Sequence, residues 1–303
     1  MRAFSREADS GMQYVTLGRT GCEVSRIGFG GFPISAVNRA RGWDPYTDQG
    51  RATAVRAVRR AVELGINYID TAEGYGDGHS EEIIGEAIEG RREGLFVATK
   101  VGLQRDGDGV LAVVAASMSR LRCEVLDLVQ FHGGIYDGET TRRILEDGPM
   151  DALLELRRRG RVRFIGATTE EPYSIRGLLQ TGLLDVIQVR YNLIYQSAAH
   201  HVLDEAMERG VGVAVMRPFT SGMLQHLAER LFPELARSVD LYELCLKFVL
   251  ADSRVHVANL GMRWPEEVET NVRIVERYEP PFDVADLPRS TRGIYDAMDE
   301  ERA

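Results

Sequence analysis

Four residues in the first half of the chain, Asp70, Tyr75, Lys100 and His132, have side chains that can exchange protons. Asp70 ends the apolar run INYID, and Tyr75 follows it in the glycine-rich segment EGYGDG. Lys100 lies near the end of LFVATKV, and His132 comes directly after VLDLVQF. A carboxylate that ends a buried apolar run needs a partner, because an unpaired buried charge is costly. The elements that carry these residues therefore decide whether Asp70 has such a partner.

These segments belong to a regular alternation of strand and helix patterns along the chain. The predicted strands are residues 25–30, 66–70, 95–101, 125–131, 162–166, 185–189, 211–216 and 254–260. The predicted helices are residues 53–64, 80–89, 109–122, 150–159, 172–181, 197–209, 221–229, 238–251 and 265–277. Strands that are apolar on both faces are typical of parallel sheets. Eight strand–helix units with no linker between them predict a single (β/α)8 TIM barrel.

The remaining segments are predicted to lie around this barrel. Residues 13–24 alternate about the turn GRTG, which predicts an N-terminal β-hairpin that caps the barrel bottom. The barrel, with its catalytic and cofactor-binding residues, is predicted to span residues 12–278. Residues 1–11 are polar and are predicted to be a disordered tail. Residues 279–303 contain three prolines and are predicted to form a C-terminal tail.

In a (β/α)8 barrel the catalytic residues lie at the C-terminal ends of the strands. Asp70, Lys100 and His132 mark the ends of three successive predicted strands, and Tyr75 lies in the loop after the first of them. Each residue alone has a structural explanation, since a histidine at a strand end is often structural and a lysine can extend its amine to solvent. Their convergence at adjacent strand ends favours one active site.

Composition excludes several classes of protein. The chain has 303 residues, of which 44% are hydrophobic and 27% charged, as expected for a globular protein with a large core. A net charge of −9 argues against nucleic acid or an anionic membrane as a partner. Three scattered cysteines indicate reduced thiols and no metal site. With no apolar stretch of membrane-spanning length, a cytoplasmic location is expected.

The four residues and their contexts, DTAEGYG, FVATK and LVQFHG, resemble the catalytic tetrad of the aldo-keto reductases. The resemblance extends over most of the chain, through RGRVRFIGATT and DVIQVRYN to LGMRWPEEVETN. It implies NAD(P)H-dependent reduction of an aldehyde or ketone, reversible to alcohol oxidation. The expected partner is thus a small-molecule carbonyl substrate, whose identity and pathway the sequence leaves open, as it does the oligomeric state.

The resemblance assigns a chemical role to each member of the tetrad. A carbonyl that accepts hydride develops negative charge on its oxygen, which must be stabilised and protonated. Tyr75 is the implied general acid, although the pKa of a free tyrosine, about 10, makes it a poor acid at neutral pH. Lys100 is expected to lower that pKa, and Asp70 to keep Lys100 charged and in place. His132 is expected to donate a second hydrogen bond to the substrate oxygen.

Cofactor-binding residues follow from the same resemblance. Thr168 and Thr169 occupy the place of the family's Ser-Asn beside the nicotinamide carboxamide, and Thr169 cannot reproduce both groups of an amide. Met216 stands where an aromatic ring often stacks, and the RPFTSG loop is expected to hold the pyrophosphate. The full expected set is Gly31, Phe32, Asp70, Thr168, Thr169, Gln188, Met216, Arg217, Phe219, Ser221, Arg263, Glu267 and Asn271.

The choice between NADPH and NADH depends on the segment LGMRWPEEVETN. Arg263 is its only cation and comes just before a predicted helix N-terminus, a favourable site for the adenosine 2′-phosphate. Glu267 stands where some family members carry an arginine, and its charge opposes phosphate binding unless it points away. A charged hydrogen bond from Arg263 should outweigh a solvated Glu267, so NADPH is predicted, with NADH possible.

The long loops 32–48 and 133–148 are expected to form the substrate pocket. Trp43, Tyr46 and Tyr136 in these loops, together with Phe219, favour an apolar or aromatic carbonyl compound. Arg39 and Arg41 leave an anionic substrate open.

Two other functions remain open from the sequence. Lys100 could form a Schiff base in a lyase, although Asp70 would keep it protonated and such chemistry needs a neutral amine. The chain could also be a non-catalytic regulatory subunit that binds nicotinamide cofactors. The intact tetrad argues against this second alternative.

Overall fold

The computed structural model describes residues 11–278, and their centre is a closed barrel of eight parallel strands. The strands pair in chain order, and the last strand closes on the first. They are β3 (Ile27–Gly30), β4 (Tyr68–Asp70), β5 (Phe96–Gly102), β6 (Leu126–His132), β7 (Val162–Thr169), β8 (Val186–Arg190), β9 (Gly212–Met216) and β10 (Val257–Gly261). Nearly every residue of these strands is buried, as parallel strands covered on both sides require. The predicted TIM barrel is confirmed.

Helices surround the barrel and alternate with its strands. They are α1 (Asp48–Glu63), α2 (His79–Ile88), α3 (Gly107–Arg120), α4 (Gly138–Glu146), α5 (Pro149–Arg158), α6 (Arg176–Gln180), α7 (Ser197–His201), α8 (Leu203–Glu208), α9 (Met223–Leu231), α10 (Pro233–Ser238), α11 (Leu241–Ala251) and α12 (Pro265–Glu276). Their apolar faces pack on the outer side of the strands in one large core cluster.

Some helices differ from the sequence predictions, either because a capping side chain sets where the helix begins or because the backbone leaves the helical conformation. Helix α1 begins at Asp48, five residues before its predicted start, since the Thr47 hydroxyl accepts a hydrogen bond from the Gly50 N–H. The predicted helix 197–209 is interrupted at Val202, whose backbone φ of −137° is not helical.

The prediction that residues 133–148 form a loop was wrong. They contain α4, which begins where the Asp137 side chain accepts a hydrogen bond from the Thr140 N–H. Only one residue of α4, Ile144, is buried, so the weak apolar periodicity concealed the helix.

A two-stranded antiparallel hairpin, β1 (Tyr14–Thr16) and β2 (Glu23–Ser25), precedes the barrel. Its residues Leu17 and Val24 are fully buried and pack against inward-facing side chains near the strand starts, such as Tyr68 and Phe96. This contact confirms the predicted hairpin, which closes the bottom of the barrel.

Asp127 fastens the strands together at the same end of the barrel. Its carboxylate accepts a hydrogen bond from the Val97 N–H of the neighbouring strand at 2.8 Å. It also pairs with the guanidinium groups of Arg92 and Arg163, and the Asp127 side chain is only 4% exposed. The bottom of the barrel thus has an ionic network of its own, at the opposite end from the C-terminal ends of the strands.

The predicted tails, residues 1–11 and 279–303, lie almost wholly outside the described residues, so both stay predictions. None of the helices between residues 11 and 278 has the length and apolarity needed to cross a membrane. In the same range, no three His, Cys, Asp or Glu side chains are arranged to hold a metal ion.

Candidate active site

The Asp70 carboxylate and the Lys100 ammonium form a buried ion pair inside the barrel mouth. Strands β4 and β5 are neighbours, so their C-terminal ends bring the two side chains together. Lys100 Nζ lies 2.7 Å from Asp70 Oδ2, and each side chain is 1% exposed. The ammonium also donates to the Thr71 carbonyl oxygen at 2.8 Å. Asp70 therefore has the partner that its burial requires.

Tyr75 completes a relay with this pair. Its hydroxyl oxygen lies 3.3 Å from Lys100 Nζ, and it sits in the loop between β4 and α2. The Tyr75 ring meets the Phe32 and His132 rings edge to face, each with a centroid distance of 5.4 Å. Asp70, Lys100, Tyr75 and His132 thus line one cleft, as their positions at neighbouring strand ends predicted.

The electrostatics of Lys100 and Tyr75 partly differ from the sequence expectation. Burial opposes the charge on Lys100, but Asp70 and Tyr75 together raise its pKa above the ordinary value, so the amine is cationic. Burial also raises the pKa of the Tyr75 hydroxyl, and this effect exceeds the opposing effect of Lys100. Lys100 acts in the expected direction, but the net pKa of Tyr75 lies above its ordinary value because burial is the larger influence. Tyr75 is therefore a protonated phenol at neutral pH.

His132 is the last residue of β6 and faces the same cleft. Burial, assisted by the nearby Lys100 charge, lowers the pKa of its imidazole to about 3. The ring is therefore neutral across the physiological range. A neutral imidazole carries one N–H, so His132 can donate a single hydrogen bond without adding a second positive charge beside Lys100.

A layer of three amide side chains surrounds Asp70. Asn259 Nδ2 donates to Asp70 Oδ2 at 2.8 Å, and Gln130 Nε2 approaches Asp70 Oδ1 at 3.3 Å. Gln188 Nε2 lies 3.5 Å from Asp70 Oδ2, and Gln188 Oε1 accepts from Gln130 at 3.3 Å. Gln188 was expected at the cofactor, whereas Asn259 and Gln130 were missed. Their signal in the sequence was a buried amide inside an otherwise apolar strand.

The cleft at the barrel mouth has a volume of about 1190 Å³ and contains most of the residues expected at a cofactor. Besides Asp70, the expected residues that line it are Phe32, Thr168, Gln188, Met216, Arg217, Phe219, Ser221, Arg263, Glu267 and Asn271. They come from strand ends, from the loops that follow them and, for Glu267 and Asn271, from helix α12, so the barrel topology gathers them from distant parts of the chain.

Gly31 and Thr169 were expected at the cofactor but do not line the cleft. A Cβ at Gly31 would lie 2.5 Å from Ser80 Oγ, so glycine allows the close packing of this loop on α2. The Thr169 hydroxyl donates to the Gly134 carbonyl oxygen at 2.8 Å and accepts from the Glu171 N–H at 2.9 Å. Both residues therefore shape the loops around the cleft.

The three aromatic residues expected in the substrate pocket also lie outside the cleft lining. Trp43 is 3% exposed, and its indole N–H donates to the Pro33 carbonyl oxygen at 2.9 Å. Tyr136 is buried with its hydroxyl between the carbonyl oxygens of Phe131 and Thr168. Tyr46 is 55% exposed and stacks on His79. These rings hold the surrounding loops in place because their polar groups bind loop backbone.

The loop that follows β9 has an unusual backbone. Arg217, Thr220 and Ser221 have φ values of 56°, 54° and 56°, in the left-handed region that side chains with a Cβ rarely adopt. The Arg217 guanidinium is held by Glu170 and by Ser221 Oγ, the latter at 3.2 Å. The turn is closed by its own backbone, because the Thr220 N–H donates to the Arg217 carbonyl oxygen at 2.9 Å and the Gly222 N–H donates to the Phe219 carbonyl oxygen at 2.8 Å.

The opposite end of the cleft joins the loop after β3 to the start of α12. Arg41 Nη1 lies 3.2 Å from Glu267 Oε1, and Glu267 Oε2 accepts a hydrogen bond from the Arg263 N–H at 2.7 Å. The Arg263 Nε–H is buried and has no hydrogen-bond partner in the structure. Glu267 is thus engaged by two partners, while Arg263 has a donor available for a ligand. The part played by Arg41 at this end was not foreseen.

Comparison with known proteins identifies relatives along nearly the whole chain. A family model described as the aldo/keto reductase family matches residues 26–287. An NADH-specific methylglyoxal reductase of Escherichia coli is 31% identical over 233 residues, covering 70% of this chain and 69% of its own. L-Galactose dehydrogenase of Arabidopsis thaliana is 29% identical over 295 residues, covering 87% and 88% of the two chains.

Solved structures agree with this result. An aldo-keto reductase of Bacillus halodurans in its holo form has a TM-score of 0.75 and 27% identity, covering 91% of this chain and 96% of its own. An aldo/keto reductase of Klebsiella pneumoniae in complex with NADPH shares the fold, with a TM-score of 0.74 and 23% identity over 92% and 94% of the two chains.

Proposed function

The chain belongs to the aldo/keto reductase family, and from this premise we propose that it reduces neutral aldehydes or ketones with NADPH. Tyr75 is the general acid of this proposal. The observation that carries it is the position of Lys100 Nζ, 2.7 Å from Asp70 Oδ2 and 3.3 Å from the Tyr75 hydroxyl. No other arrangement in the described cleft combines a protonated phenol with a buried cation beside it.

The protein side chains account for the proton and for the developing charge. NADPH supplies the hydride when it is bound. Tyr75 donates its hydroxyl proton to the carbonyl oxygen, and Lys100 stabilises the phenolate that remains. Asp70 holds the ammonium in position and keeps it charged. The neutral imidazole of His132 donates a hydrogen bond that orients the carbonyl toward the hydride donor.

The residues along the cleft fit an elongated dinucleotide. Thr168 and Gln188 offer polar groups near the tetrad, and the Arg217 guanidinium and the Ser221 hydroxyl line the part of the cleft assigned to the pyrophosphate. Arg263, with its buried and unpartnered Nε–H, is suited to a phosphate at the adenosine end. Arg92 and Arg190 also have a buried Nε–H without a partner among the described residues, but Arg263 alone of the three lines the cleft, where an anionic ligand would satisfy it.

The side chains at this end favour NADPH over NADH. Glu267 opposes a phosphate, but its carboxylate is paired with Arg41 and with the Arg263 backbone. Two carboxylates line this end with the two arginines: Glu267, which Arg41 and the Arg263 backbone engage, and the exposed Glu266. The proposed preference for NADPH therefore rests on the Arg263 Nε–H that is left for a phosphate, and not on an excess of positive charge. A relative from Escherichia coli is called NADH-specific. The proposed preference for NADPH is therefore argued from the residues of this chain and not from that relative.

The substrate end of the cleft favours a neutral carbonyl compound. Phe32, Tyr75 and His132 form its walls near the reacting position, and the buried Lys100 is already paired with Asp70. Arg41, which left an anionic substrate open, pairs with Glu267 at the α12 end of the cleft. Arg217 lines the same cleft and its charge reaches Tyr75, but its guanidinium is paired with Glu170. A carboxylate beside the reacting carbonyl would thus have to compete for a cation that already has an acidic partner, at a cost in desolvation.

The competing Schiff-base mechanism is disfavoured by the state of Lys100. Its amine is held cationic by Asp70 and donates to three oxygen atoms, whereas attack on a carbonyl needs a free electron pair. The alternative of a non-catalytic subunit predicts cofactor binding without turnover.

A matched pair of substrates tests the proposal. Methylglyoxal and pyruvate both contain a methyl ketone. Methylglyoxal carries a neutral aldehyde beside it, whereas pyruvate carries a carboxylate. We expect NADPH oxidation with methylglyoxal or another neutral aldehyde and little with pyruvate. NADPH binding without oxidation across a panel of neutral aldehydes, ketones and sugars would contradict the proposed activity. Faster turnover of pyruvate than of methylglyoxal would contradict the substrate class alone.

A further inference from the structure

Asn259 is a polar residue at an inward-facing position of the barrel. It lies in the middle of β10, opposite Gly28 of β3, and is 8% exposed. Val257, two residues earlier, packs in the inner apolar cluster, whereas the flanking Ala258 and Leu260 pack outward against the helices. Burying an amide inside a barrel costs free energy unless it is hydrogen-bonded, so its contacts indicate why it is there.

The Asn259 amide donates to the catalytic carboxylate. Its Nδ2 lies 2.8 Å from Asp70 Oδ2, the same oxygen atom that accepts from Lys100 Nζ at 2.7 Å. The other two amides near Asp70 are at 3.3 and 3.5 Å, so the Asn259 contact is the shortest of the three. Rotating the amide by 180° would place its oxygen against the carboxylate, and this repulsion fixes the orientation.

The neighbouring strand leaves room for this orientation. A Cβ at Gly28 or at Gly30 would lie 3.2 Å from Asn259 Oδ1. The two glycines of β3 therefore make the space into which the amide carbonyl fits. Strands β3 and β10, which close the barrel, thus provide the space and the side chain that place one amide next to Asp70.

We propose that Asn259 is a positioning residue that holds the Asp70 carboxylate so that Lys100 stays aligned with Tyr75. This inference rests on the proposed function and extends it to a residue outside the tetrad. With Lys100 and Asn259 on one oxygen atom, the carboxylate has little freedom to rotate. Without Asn259, Asp70 keeps its cation but loses its shortest amide contact, and Lys100 can follow it away from the Tyr75 hydroxyl. Small misalignments of this kind have large effects on rate.

The decisive experiment compares Asn259→Leu and Asn259→Asp in the full chain. Leu removes the donor while keeping a similar volume, and we expect kcat to fall about ten- to a hundredfold, the worth of a charged hydrogen bond. KM for NADPH and for the carbonyl substrate should change by less than about threefold, since positioning acts on the chemical step.

The Asp variant should show a pH signature that a merely structural role would not produce. Two carboxyl groups so close together share a proton at low pH, and that proton can donate to Asp70 as the amide does. We therefore expect Asn259→Asp to recover much of the wild-type kcat at low pH and to lose it as the pH rises. The pH profile of kcat for the wild type should not show this loss.

A buried asparagine at the other end of the barrel provides the control. Asn67 accepts from the Ser25 N–H at 2.7 Å and is 7% exposed, far from the cleft. Asn67→Leu should lower the melting temperature while kcat is retained below it. Wild-type kcat in folded Asn259→Leu would overturn the inference and leave the proposed function intact. A wild-type protein with no carbonyl reduction would instead remove the proposed function.

Discussion

At the scale of single residues, two opposing influences act on the Tyr75 hydroxyl. Burial favours the neutral phenol, while Lys100 favours the phenolate. Burial is the larger influence in this structure, so the hydroxyl is protonated at neutral pH. In the proposed reaction, Lys100 would contribute most after the proton has left, when its charge would face a phenolate.

Replacing Tyr75 by Phe removes the proton donor and keeps the ring contacts with Phe32 and His132. We expect kcat for carbonyl reduction to fall by about 10²–10⁴, the usual contribution of a general acid. NADPH affinity, measured by fluorescence titration, should stay within about threefold of wild type because the hydroxyl is assigned to the substrate and not to the cofactor. A Phe variant with most of its kcat would remove Tyr75 from the mechanism.

The low pKa of His132 makes a separate prediction about stability. Its pKa is about 3 in the folded protein against an ordinary 6.5, so the unfolded chain binds a proton that the folded chain does not. Above pH 6.5 the His132 imidazole is neutral in both states and does not change the free energy of unfolding. As the pH drops from 6.5 toward 3, the free energy of unfolding falls, by about 2 kcal/mol at pH 5.

The measurement for His132 is the free energy of unfolding in urea at pH 7 and at pH 5, without ligands. The decrease between these values should be about 2 kcal/mol smaller in His132→Gln than in wild type. His256, whose pKa is also lowered by burial, is present in both proteins and cancels in the comparison. An equal decrease in both would show that the His132 imidazole is protonated in the folded state.

What the sequence could and could not predict at this scale follows from the kind of residue. Charged side chains at the ends of apolar strands are conspicuous, so Asp70, Lys100 and His132 could be found without a structure. Asn259 lies inside such a strand, and only the barrel closure shows that its amide meets Asp70. The role of Tyr136 was hidden for a similar reason, because a tyrosine in a loop can face a pocket or bind backbone.

At the scale of elements, the cofactor end of the cleft depends on the loop after β3 and on the N-terminus of α12. The Arg41–Glu267 ion pair connects them, and Arg263 lies beside it. The N-terminus of α12 was predicted at residue 265, where the structure has it, with Arg263 just before it. The loop after β3 could not be predicted, because residues 32–48 form short 3₁₀ turns without apolar periodicity. The barrel strands, in contrast, followed directly from their apolar runs.

Replacing Arg263 by Ala should weaken NADPH binding about ten- to a hundredfold, the effect of losing a charged hydrogen bond to a phosphate. NADH lacks that phosphate, so its dissociation constant should change by less than about threefold. Titration of both cofactors against the wild type and the variant measures the difference. Arg39→Ala is a suitable control, since Arg39 is exposed in the same loop as Arg41 but does not line the cleft. Equal or tighter NADH binding by the wild type would reverse the predicted preference.

At the scale of the whole molecule, the barrel separates the Asp127 network from the residues of the proposed active site. The tetrad lies at or just past the C-terminal ends of the strands with its amide layer beneath it, and the Asp127 network lies at the opposite end. This division is general in (β/α)8 barrels and allows the two ends to change independently.

Asp127→Ala tests this separation. The change leaves the Val97 N–H and two guanidinium groups without their acceptor, and we expect a loss of about 1–3 kcal/mol in the free energy of unfolding. The solvent contact of both arginines keeps the effect below that of a fully buried pair. Below the melting temperature, kcat and KM should match wild type. A selective loss of kcat in a stable variant would show that the two ends are coupled.

The hairpin at the base has a consequence for the path of protons. Leu17 and Val24 close that end with apolar side chains, so in the described structure the layer around Asp70 meets solvent through the cleft. In the proposed reaction, cofactor and carbonyl compound would together fill the cleft and separate a phenolate on Tyr75 from the buffer until one of them leaves. Each turnover would then use a proton that Tyr75 took up before the ligands bound. Proton uptake from the medium should therefore occur at the same rate as product release, with one proton taken up for each product molecule that leaves the cleft.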